Sequence, residues 1–146
     1  MESVWGVILM LVGGVAWFGQ LICAFSPTLG VKWGLTEGQK DTDRALFIEG
    51  QGEAIWDALT IWTLPLCGIL LLLEHPYWPY VGLIGGGGYL YFSGRAIATR
   101  IVLKKNKISI GNAKSIKLAY VFGVLWALTA LITIAMAWQA LALFTP

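Results

Sequence analysis

The chain has 146 residues, of which 58% are hydrophobic and 12% charged, with a net charge of +2 and a mean hydropathy of +0.73. A charge content about half that of a soluble domain excludes a disordered chain, a nucleic-acid-binding arm and an ordinary water-soluble globule. What remains is an all-α polytopic membrane protein, a single membrane domain over residues 1–146, whose environment is lipid rather than nucleic acid.

A span needs about 20 mostly apolar residues, and four stretches qualify, at about 4–25, 45–73, 78–103 and 118–144. The first contains no charge, and its acidic start, Met1-Glu2-Ser3, is a poor signal-peptide start. Ser26-Pro27 ends it. Asp41-Thr42-Asp43 offers N-cap residues for a second helix beginning near Arg44. The second and third spans are joined by Glu74-His75-Pro76-Tyr77, a tight hairpin with Pro76 and Pro79 as stop and start signals. A loop rich in lysine, Lys104 to Lys117, leads to the fourth span.

The ten basic residues are Lys32, Lys40, Arg44, Arg95, Arg100, Lys104, Lys105, Lys107, Lys114 and Lys117. All lie in the first or third connection or at the span ends leading into them. The positive-inside rule makes both connections cytoplasmic. The expected fold is therefore an antiparallel bundle of four transmembrane helices, N-out and C-out. Trp5, Trp78 and Trp138 fall near the outer boundary and Trp33 near the inner one. Cys23 and Cys67 fall at opposite depths, too far apart for a disulfide.

Ionisable groups inside spans are costly and tend to pair within the protein. The second span carries Glu49, Glu53 and Asp57 on one helical face. The third supplies Arg95 and Arg100. If Glu74 and Trp78 are level at the hairpin, Asp57 is level with Arg95, and Glu53 lies one residue from Arg100. Two pairs are expected, Asp57–Arg95 and Glu53–Arg100, with Glu49 in the headgroup zone. Tyr91 shares a helical face with Gly88 and Arg95, and Gln20 of the first span lies at a similar depth. The candidate ligand-binding set is Gln20, Glu53, Asp57, Tyr91, Arg95 and Arg100.

Gly82 and the run Gly85 to Gly88 are expected to let the second and third spans pack closely. Thr129 and Thr133 of the fourth span are expected to bond back to their own helix. The only histidine, His75, sits in the hairpin, so paired-histidine haem anchoring and HExxH zinc chemistry have no residues to use. No metal site, no cofactor and no catalytic residue is assigned.

The layout resembles small bacterial DoxX-like proteins and related four-helix membrane proteins. The resemblance rests on size, hydropathy, Pro27-Thr28-Leu29-Gly30 after the first span, and a charged start of the second span at Arg44 and Glu49. It implies the fold, and a multi-pass location in the bacterial inner membrane. The expected function is that of an accessory or ligand-binding integral membrane protein, with membrane lipids, a homo-oligomer or a larger membrane complex as partners. Three other readings stay open: a small oligomeric transporter or proton pathway, a membrane enzyme on a lipid-like substrate, and a subunit of a larger respiratory or photosynthetic complex.

Overall fold

A computed structural model of the protein describes residues 2–144. Of the described residues 82% are helical, and no strand occurs among them. Six helices follow in order: α1 (Glu2–Phe25), α2 (Pro27–Lys32), α3 (Arg44–Thr60), α4 (Thr63–Leu72), α5 (Trp78–Lys105) and α6 (Ala113–Phe144). Local chemistry accounts for several boundaries. Pro27 opens α2, where a missing N–H costs nothing. Asp43 Oδ1 accepts from Ala45 N at 2.8 Å and caps α3. Asn112 Oδ1 accepts from Lys114 N and Ser115 N, both at 3.1 Å, so α6 starts at Ala113, before its apolar run.

The second expected span is two helices. The break at Ile61–Trp62 lies just upstream of Pro65. Proline has no N–H to donate, and its ring clashes with the carbonyl four residues back, that of Ile61. α3 and α4 differ in their neighbours: α3 packs on α1, whereas α4 packs on both α1 and α5.

Among the described residues, three stretches are long and apolar enough to cross a membrane: Glu2–Phe25, Arg44–Leu72 and Ala113–Leu143. α5 has 28 residues, but its glycines, tyrosines and arginines dilute its apolarity. The outward surface is rich in large apolar side chains. Leu11, Phe18, Leu59, Ile84 and Leu128 are all more than half exposed. Such an exterior is the inverse of a water-soluble protein's and is compatible with a multi-pass membrane protein.

Packing is pairwise and antiparallel. α1 lies on α4 and α3, α4 on α5, and α5 on α6. Glycines set the close approaches. A methyl group on Gly68 would come within 2.6 Å of Gly6 O, and one on Gly85 within 2.8 Å of Leu64 N. Gly86 meets Ile134 of α6 rather than the second span, while Gly87 and Gly88 face open space. Close packing of α4 and α5 thus accounts for Gly82 and Gly85, and not for the whole run.

Indole and phenol groups tie the helices together across the core. Trp5 Nε1 donates to Thr133 Oγ1 at 3.2 Å, Trp17 Nε1 to Ala58 O at 2.9 Å, and Trp126 Nε1 to Val12 O at 3.3 Å. Tyr89 is fully buried, and its hydroxyl donates to Gly13 O at 2.6 Å. Thr129 and Thr133 bond back to Leu125 O and Thr129 O. Trp78 is buried, whereas Trp33 and Trp138 are exposed. Cys23 and Cys67 are both free thiols.

Candidate functional site

α3 packs on α1 but has no comparable packing on α5 or α6. A cavity of about 320 Å³ lies between α1, α3, α5 and α6. The cavity lies in the half of the molecule away from the 73–77 hairpin. Its wall includes Gln20, Glu53, Asp57, Arg95 and Arg100, five of the six residues singled out from the sequence. Tyr91 is the exception. It is 65% exposed and does not line the cavity, because the face it shares with Gly88 points outward.

The ion pairing differs from expectation. Arg95 Nη1 forms a salt bridge and hydrogen bond with Glu53 Oε1, not with Asp57. The side chains of Arg95 and Glu53 keep 26% and 31% of their surface exposed. Arg100 Nη1 donates to Ala96 O at 3.2 Å, in its own helix, instead of to Glu53. The register explains the change. Gly82 faces Cys67 and Gly85 faces Leu64, three residues from the expected matching. α4 ends at Leu72, and Glu74 turns the chain with φ +50. The hairpin therefore takes up residues that the expected register counted as helix. The shift is nearly one turn, enough to exchange Asp57 for Glu53 opposite Arg95.

Asp57 is left in an unusual position. It is 6% exposed. Its carboxylate forms no salt bridge and no hydrogen bond among the described residues, although it lies within electrostatic range of Arg95 and Glu53. By contrast, the buried hydroxyls of Ser93, Thr129 and Thr133 are each bonded to a backbone carbonyl. Glu49, about two turns back along the stripe from Asp57, is exposed and does not line the cavity.

Aromatic side chains form part of the same wall. Phe92, Phe122 and Trp126 all line the cavity. The Phe92 and Trp126 rings are 5.3 Å apart and tilted, and Phe122 stacks on Trp126 at 5.4 Å. The apolar period of α5 and α6 marks these residues only as core.

Two connections clasp at the far end. Thr42 and Ile110 form an isolated antiparallel bridge. Asp43 N donates to Ser109 O at 3.2 Å, and Ser109 Oγ to Asp41 O at 2.8 Å. Thr42 and Ile110 line the cavity, as does Glu37 of the first connection. Thr42 Oγ1 is buried there with no hydrogen-bond partner. Sequence reasoning missed this clasp, since nothing local to either loop signals a pairing across 68 residues.

No family model, curated protein or solved structure matches this chain.

Proposed function

We propose that the chain is an integral membrane protein of four antiparallel spans that binds a small ligand in the cavity beside α3. In this reading α3–α4 is the second span and α5 the third. Both termini and the 73–77 hairpin face outside, and the clasped basic connections face the cytoplasm, where the positive-inside rule puts them. The layout shared with DoxX-like proteins belongs to the same proposal.

One observation carries the ligand-binding reading: Asp57 is a buried carboxylate without a salt bridge on the wall of a cavity. An unpaired charge in a membrane interior is expensive. A purely structural cluster would have spent Arg95 on the more buried acid. Here Arg95 serves the more exposed Glu53, and the deeper carboxylate is free for something else. The mix of apolar rings and a few polar groups on one wall is also the usual composition of a ligand site.

Native mass spectrometry of the protein extracted gently from its own membranes tests this reading. A small molecule retained by the wild-type chain and lost in Asp57→Asn is the expected result. A stoichiometric foreign polypeptide, with no small molecule, would replace it with the complex-subunit reading.

A further inference from the structure

The charges around the cavity do not balance at the depth of Asp57. Glu53, Asp57 and Arg95 interact as a group of two acids and one base. The guanidinium is committed to Glu53, so Asp57, when ionised, has no counter-charge of its own. Arg100 lies further along α5 and donates to its own helix. An anion placed beside Asp57 would meet two carboxylates and a base already engaged. A positive group would complete the set.

The surroundings narrow the kind of cation. A hard metal ion needs about six oxygen ligands or retained water. Phe92 is on the α5 wall, level with Asp57 by the observed register, and it packs on Trp126. The Trp126 N–H is occupied by Val12 O, so this residue offers a ligand its ring rather than its donor. Aromatic faces attract weakly hydrated organic cations. At about 30 Å³ per water molecule, the 320 Å³ cavity holds a small organic ion.

Resting on the ligand-binding reading above, we infer that the cavity takes an organic ammonium ion. Asp57 is its counter-charge, and Phe92, Phe122 and Trp126 are its aromatic wall. Glu53–Arg95 is a neutral pair that links α3 to α5 beside it without packing the two helices together.

The test is isothermal titration calorimetry on the full chain in a neutral detergent. Three probes share a benzyl group: benzyltrimethylammonium, neutral phenylacetamide and anionic phenylacetate. The expected result is that the ammonium ion binds most tightly. Asp57→Asn should weaken it about tenfold to a hundredfold, as loss of a charged partner does. Phe122→Leu, which leaves the acid in place, should weaken it about threefold or more. Glu49→Gln, an exposed acid on the same helix, should leave it unchanged. Phenylacetamide or phenylacetate binding as tightly as the cation would overturn the ammonium inference and leave the cavity reading standing. Equal ammonium binding by wild type and Asp57→Asn would also overturn it, as would no binding of any probe to the wild type. In that last case, a small molecule retained in native mass spectrometry would still uphold the cavity as a site.

Discussion

Arg95 on α5 is bonded to Glu53 on α3, although the two helices are not packed on each other. The pair is a strut between two separated helices. Its cost in desolvation is moderated because both side chains keep part of their surface exposed. A double-mutant cycle measures the strut. Glu53→Gln and Arg95→Gln should couple by about 1 kcal/mol in unfolding free energy, between exposed and fully buried pairs. Glu53→Gln and Arg100→Gln should be additive to within about 0.5 kcal/mol.

The glycine run of α5 separates into packed and open positions. Gly85→Ala would drive a methyl group against the backbone of Leu64. It should destabilise the protein by about 1–3 kcal/mol, the usual cost of overpacking. Gly87→Ala meets nothing within 4 Å. It should be neutral or stabilise by up to about 1 kcal/mol through helix propensity. Thermal unfolding of the two variants in the same detergent compares them directly.

The buried phenol of Tyr89 spends its only donor on Gly13 O. The close approach needs Gly13 itself, where a methyl group would fall 2.9 Å from Pro65 Cδ. Tyr89→Phe keeps the ring and removes the bond. A loss of about 1 kcal/mol is expected, read from the midpoint of thermal or denaturant unfolding.

The clasp between the two connections can be trapped. Bridged residues of an antiparallel pair have Cα atoms about 4.5–5.5 Å apart, within disulfide range. With Cys23 and Cys67 replaced by Ala, Thr42→Cys combined with Ile110→Cys should form an intramolecular disulfide under mild oxidation. Electrophoresis without reductant reads it as a mobility shift. Thr42→Cys combined with Lys105→Cys, off the bridge, should not cross-link.

Much of the helical layout is legible in the residues. α1 and α6 each contain a long uncharged apolar run, and no other element suits it. The cap at Asp43 and the hairpin after Leu72 also follow from local chemistry. Pairing across helices is harder to read. One positive-φ residue, Glu74, and an α4 that ends at Leu72 change the register by three residues. That small change decides whether Arg95 meets Asp57 or Glu53. The cavity is a further step removed. It lies where α3 packs on α1 but not on α5 or α6, and nothing local to these segments states which helices leave such a gap. Tyr91 illustrates the same limit, since sharing a face with Arg95 did not bring it to the cavity that Arg95 lines.

The most direct measurement is an experimental structure of the protein purified gently from its own membranes. The account predicts α3 standing off α5 and α6, Arg95 on Glu53, and non-protein density within hydrogen-bond distance of the Asp57 carboxylate. A closed α3 packed on α6, with Asp57 bonded to Arg95 or Arg100 and the cavity filled by side chains, would contradict it.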